Sequence, residues 1–185
     1  FMPILREQFF AEVANGKISS RQQLREQAAK HSMEQSICGM PCTFTEVHIT
    51  EYHSYITNKW KYGRETLYTA IKNLLSDTAD FSFQLIKTEG SVMSFVVVPT
   101  KHISIKTLED SLRLYIMKIT RQAFELFGLL LFIDNKRFFS SLFEMMEHTS
   151  SKAEGRVASE EYANKIHQLT SNIKMYKVDE ARAVL

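Results

Sequence analysis

Four side chains that can ligate a soft divalent metal fall within sixteen residues, in the pattern Cys38-x3-Cys42-x5-His48-x4-His53. Thiolate sulfur and imidazole nitrogen suit tetrahedral zinc, and Gly39 and Pro41 would bend the chain so that both thiols meet one ion. The spacing is close to a zinc knuckle and matches no standard finger. His48 and His53 are five apart and do not share one helical face, so at least one must lie outside a helix. The competing reading makes the cysteines small core residues and the histidines surface polar groups. Zinc, held by Cys38, Cys42, His48 and His53, is the one cofactor the sequence suggests.

A second set of residues carries positive charge. Lys59, Lys61, Arg64 and Lys72 face only Glu65 across their stretch, and Thr66, Thr69 and Asn73 add hydrogen-bonding groups beside them. Cations and short polar side chains on one helix face suit phosphates and base edges. The bland alternative is a solvated helix face. Catalysis has no comparable support. His31, His48, His53 and His102 sit in no nucleophile motif, and no glycine-rich phosphate loop is present. Glu109-Asp110, Asp134 and Glu160-Glu161 read as helix-start charges favoured by the helix dipole. The expectation is a protein that binds, with no catalytic residues.

Those residues need a scaffold, and the composition supplies a core. The chain has 185 residues, 44% hydrophobic and 24% charged, with a net charge of +2. That balance belongs to a folded domain, and the charge is too small to name a partner. The longest apolar stretch, from Ala123 to Ile133, is broken by Glu125 and Gly128 and falls short of the roughly 20 residues a membrane span needs. The first residues lack the basic segment and apolar run of a secretory signal. Two cysteines make no disulfide framework, so a reducing, cytoplasmic setting is expected.

The elements follow from periodicity. Ile4, Leu5, Phe9 and Val13 mark a first helix stopped by Asn15-Gly16, and Ser20 with Gln23 forms a capping-box pattern opening a second helix to about Lys30. From Ser32 to Thr50 the periodicity fades into an expected loop or insertion. Leu67, Ala70, Ile71, Leu74 and Leu75 share one face of a third helix starting near Gly63 or as early as Glu51. A β-hairpin follows over Phe81 to Val98, turning at Thr88 to Ser91 and closed by Pro99. A long helix holds Leu108 through Leu130, Asp134-Asn135 interrupts it, and a shorter apolar helix carries Phe138 to Met146. A polar linker is expected around Ser150 to Gly155. The last helix places Tyr162, Ile166, Leu169, Ile173 and Tyr176 at alternating spacings of four and three, a coiled-coil seam.

Helix, turn, helix, loop, helix and hairpin is the order of a winged helix-turn-helix. The segment from Gly16 to Ala28 resembles the second-helix entry of winged-helix regulators of the GntR type, and Gly63 to Leu74 resembles their recognition helix. About thirty residues stand where that family has a tight turn. Either 32–60 is an insertion or the motif begins later, with Thr50 to Lys61 as its second helix. The resemblance implies a mainly α protein with a small hairpin. A winged-helix domain over 1–100 with a Cys/His insertion would precede a helical dimerisation or sensing region over 101–185. It also implies a dimeric, sequence-specific transcriptional regulator that binds duplex DNA through Lys59, Lys61, Arg64, Thr66, Thr69, Lys72 and Asn73. The homodimer would form through the C-terminal helices and their phenylalanines Phe124, Phe127, Phe132, Phe138, Phe139 and Phe143, with no membrane involved. The alternative is an interaction module, or a replication or partition factor of a mobile element, built on the same parts.

Overall fold

The computed structural model describes residues 2–184 along the backbone, and side chains for 5–156 and 158–173. Its elements in chain order are α1 (Met2–Ala14), α2 (Arg21–Lys30), a 3-10 turn (Gln35–Gly39), β1 (Cys42–Ile49), α3 (Tyr52–Asn58), α4 (Arg64–Leu74), β2 (Phe81–Glu89), β3 (Val92–Pro99), α5 (Ile105–Phe127), β4 (Leu131–Phe139) and α6 (Leu142–Val184). The four strands make one antiparallel sheet in the order β2-β3-β1-β4.

Because β1 and β2 both run opposite to β3, the unit β1-α3-α4-β2 is a crossover between parallel strands with β3 inserted between them. The unit β3-α5-β4 is likewise split by β1. Two interleaved units of this kind make the split β-α-β, ferredoxin-like arrangement. This overturns the winged-helix expectation. The hairpin β2–β3 forms as expected, but β3 pairs with β1 along its other side, so the hairpin is half of a four-stranded sheet and no free wing. The structure is mixed α and β, and the fold class implied by the resemblance does not hold.

Each face of the sheet carries a hydrophobic core. On one, α3, α4 and α5 place Tyr55, Leu67, Ile71, Leu108, Leu112 and Ile119 over Val47, Met93, Phe95 and Val97. On the other, α1, α2, the 3-10 turn and the root of α6 bring Phe9, Phe10, Val13, Leu24 and Met145 onto Cys42, Val96, Val98 and Phe139. A half-buried strand normally alternates, whereas the second half of β3, Phe-Val-Val-Val-Pro, is buried on both sides because both faces are covered there. Removing a buried side chain such as Leu67 down to alanine costs about 2 to 5 kcal/mol in cores of this kind.

Local chemistry sets the ends of the helices. The Ser20 hydroxyl accepts from the Gln23 amide at the start of α2, while the Gln23 side chain accepts from the Ser19 amide, so the box closes one residue earlier than its spacing suggests. At the end of α5, Gly128 takes φ +60°, and the Leu129 amide returns to the Ala123 carbonyl. Helix α6 opens on a reciprocal cap in which Ser141 Oγ accepts from the Glu144 amide and the Glu144 carboxylate accepts from Ser140. That donation from Ser140 holds the Glu144 carboxyl below its ordinary range.

Three expectations about elements are corrected. The stretch from Ser32 to Thr50 contains β1, the strand that pairs on both sides. Asp134-Asn135 lies inside β4. The linker expected at Ser150 to Gly155 is helical, and α6 runs unbroken from Leu142 to Val184. No helix among the described residues is long and apolar enough to cross a membrane.

Candidate interaction surfaces

The metal quartet does not assemble. Cys42 and His48 are six residues apart on β1, which at about 3.3 Å per residue separates them by roughly 20 Å, whereas zinc ligands sit about 2.0 to 2.3 Å from one ion. Cys38, in the 3-10 turn, and Cys42 are both fully buried in the core under α2 and α6. Burial pushes both thiols up, Cys42 furthest, opposite to the activation a ligand or nucleophile needs. His48 Nε2 lies 3.0 Å from Glu46 Oε2, and its ring is tilted on Phe132. His53, on α3, is exposed with its ring against Tyr52. Among the described residues, no three of His, Cys, Asp and Glu converge on a common point. The cysteines are the small core residues of the competing reading.

The basic helix forms, and its hydrophobic face is as expected. Leu67 and Ile71 are buried, and Tyr68 beside them donates to the Gly90 carbonyl and meets the Tyr52 hydroxyl at 2.7 Å. Burial, helped by that contact with Tyr52, pushes the Tyr68 hydroxyl up to about 12. This chain ties α3, α4 and the β2–β3 turn into one layer. The outward residues are partly committed elsewhere. Thr66 donates to the Tyr62 and Gly63 carbonyls and accepts from the Trp60 indole, and Thr69 donates to the Glu65 carbonyl. Lys72 forms an ion pair with Glu7 of α1. Lys59, Lys61 and Arg64 stay exposed around the loop that Trp60 fastens, as does Asn73 at the far end of the helix. Three of the seven residues expected at DNA therefore serve the protein's own structure.

An uncovered apolar stripe lies on α6. Its root is held closely: Thr149 donates to the Val13 carbonyl at 2.6 Å, and Gly16 packs against the Thr149 carbonyl and Ala153. Beyond Ala153 every described residue is exposed. The helix from Glu154 to Val184 rises for about 45 Å at 1.5 Å per residue. Tyr162, Ile166, Leu169 and Ile173 are 68%, 46%, 62% and 57% exposed along one stripe. The fifth seam residue, Tyr176, lies outside the described side chains. Taking Ile166 and Ile173 as heptad a positions makes Tyr162 and Leu169 d positions. The flanking e and g positions are then Ala158, Ala163, Lys165, Thr170 and Asn172, which bring no like charges together.

Of the phenylalanines expected at a subunit interface, Phe124 and Phe132 are exposed at 58% and 60%, and Leu126 and Leu130 are exposed as well. Phe139 is fully buried, and Phe143 lies under the guanidinium groups of Arg21 and Arg25, at 4.9 and 5.0 Å. These last two belong to the fold. No family model, no curated protein and no solved structure matches the chain.

Proposed function

We propose that this protein is a non-enzymatic interaction module: a split β-α-β domain that carries α6 as a dimerisation arm, pairing with α6 of a second copy. The observation behind this reading is the α6 seam. A helix standing clear of its domain gains no tertiary packing, and helical stability in water comes mostly from packing an apolar face. The seam supplies such a face, and a second copy would present the same one. Ile at a with Leu at d favours two parallel strands over three or four. A parallel pair sets a against a and d against d, which a two-fold homodimer does by symmetry. The long, continuous helix rooted in the domain would hold the two domains on one side of the dimer.

Sedimentation across a concentration series tests the proposal. The expected result is reversible monomer–dimer behaviour that is lost in the double variant Ile166→Asp, Leu169→Asp, with the near-ultraviolet signal of Trp60 unchanged. A wild-type protein that stays monomeric throughout, or a double variant that still dimerises, would sink the arm as the interface. A mobility-shift assay with random duplex DNA separates the DNA-binding alternative. No shift at low salt is expected. A shift whose salt slope falls by about one unit in Lys61→Ala would restore DNA as the partner.

A further inference from the structure

The second sheet face is covered along only half of its length. Where α1, α2 and α6 lie over it, the sheet presents Cys42, Val96, Val98 and Phe139. Past the root of α6 the same face turns polar, with Glu46 between Ser94 and Asp134 on the neighbouring strands. At this boundary α6 overhangs the sheet and leaves a cleft of about 440 Å³, within the size range of small-molecule sites. Its apolar floor comes from Phe44 and Ile86, both only partly buried.

The rim is strongly cationic. Lys87, Lys136, Lys152 and Arg156 line the cleft, against the single carboxylate of Glu46. Lys136 is neutralised by Asp134 at 2.8 Å and Glu46 at 3.4 Å, and the bond to Asp134 leads in holding its ammonium above the ordinary range. Lys87 reaches Glu89 at 3.4 Å. Lys152 and Arg156 differ. Among the described residues no carboxylate comes within ion-pair distance of either. They stand four apart, on one face of α6, where two like charges repel unless something negative lies between them. The same field reaches His148, whose imidazole is held below its ordinary value first by burial and then by Arg137 and Lys152.

We infer that this cleft is a binding site for a small organic oxyanion, a phosphate or carboxylate on a flat apolar body. Lys152 and Arg156 would hold the charged end, and Phe44 and Ile86 the apolar end. Guanidinium recognises both oxyanions through paired N–H donors, and the ammonium adds a point charge. An apolar body is required because the floor is hydrocarbon, so inorganic phosphate alone fits only half of the site. The inference does not depend on the dimer.

Amide chemical shifts followed during titration with phenyl phosphate, benzoate, inorganic phosphate and phenol provide the test. Phenyl phosphate or benzoate should shift the amides of Phe44, Ile86, Lys152 and Arg156 saturably, with inorganic phosphate and phenol much weaker. Which of the two organic anions binds more tightly identifies the preferred oxyanion. The double variant Lys152→Gln, Arg156→Gln changes exposed residues and should keep the wild-type spectrum while its affinity falls roughly tenfold or more. Shifts that fail to saturate with either organic anion, or a double variant that binds as the parent does, would overturn the site. So would inorganic phosphate matching phenyl phosphate, because the floor would then contribute nothing.

Discussion

Replacing Gly16 with alanine probes the joint on which α6 stands, and two other glycines serve as internal controls. Gly16 has φ +71°, and an added Cβ would lie 2.6 Å from the Thr149 carbonyl oxygen and 2.7 Å from the Ala153 Cβ. Gly90 and Gly128 share the left-handed conformation, at φ +59° and +60°, but a Cβ at either meets nothing within 4 Å. The left-handed conformation costs a non-glycine residue about 1 to 2 kcal/mol. The stiffer unfolded chain returns about 0.4 to 1 kcal/mol of that. Gly90→Ala and Gly128→Ala should therefore each destabilise by about 0 to 1.6 kcal/mol. Gly16→Ala adds overpacking of about 1 to 3 kcal/mol, for a total of about 1 to 4.6 kcal/mol. With m near 2 kcal/mol/M, the middle of the usual range in urea, its midpoint should fall by roughly 0.5 to 2.3 M. Ala153→Gly removes one of the two obstructions but leaves the Thr149 carbonyl, which is backbone. In a double-mutant cycle it should thus rescue part of the loss and no more. If Gly16→Ala unfolds within about 0.5 kcal/mol of Gly90→Ala, the additivity limit for independent sites, the close approach of α1 and α6 would be refuted.

Two further outcomes follow from the buried titratable groups. The folded state holds the His148 imidazole below its unfolded value, mainly by burial and then through Arg137 and Lys152, so it stabilises the fold above the unfolded value near 6.5 and that contribution is lost as pH falls through the lower, folded one. His148→Gln should flatten the fall in denaturation midpoint below pH 6.5 without lowering the plateau at pH 8, and an unchanged pH profile would count against this account. Cys38 and Cys42 are both fully buried with thiols pushed up, so neither should react with iodoacetamide at pH 8 until urea unfolds the protein. Prompt alkylation of the native protein, read by mass spectrometry, would contradict their placement.

What could be read from the residues was local. The cap of α2, the inward face of α4 with Leu67 and Ile71, the hairpin and the α6 seam each leave a pattern within a few neighbouring positions. Strand β1 does not. It carries buried Thr43 and Thr45, whose hydroxyls donate to the Arg137 carbonyl and the Asn135 side chain more than ninety residues away in the first case and ninety in the second. Without those partners, Cys-Thr-Phe-Thr-Glu-Val-His-Ile reads as a polar loop rich in metal ligands. Strand β4 was obscured for a related reason. Its Asp134-Asn135 looks like a helix break, but Asp134 pairs with Lys136, which also reaches Glu46 on the polar half of the sheet, and Asn135 accepts from Thr45. Ser150 and Gly155 resemble a linker until Thr149 and Ala153 are seen packed on Gly16. Without β1, three helices and a hairpin remain, and those are the parts of a winged helix. The oxyanion cleft had no local signal either, since Phe44, Ile86, Lys136 and Lys152 come from four separate elements.

The pairing of the first strand with the last has a consequence for biosynthesis. A ribosome releases β1, then β2 and β3, and these can join as soon as they emerge, because β3 lies between the other two. The free side of β1 must then wait until residues 131–139 have been made and α5 has crossed the sheet. During that interval a strand of eight residues, with Phe44, Val47 and Ile49 along it, presents unpaired amides and carbonyls to any other nascent chain. A fragment ending near residue 100 would keep this exposed edge permanently and should aggregate more readily than the full chain. In the finished protein the outer strand is β4, whose Asp134, Lys136 and Arg137 charge the border that β1 would otherwise leave bare.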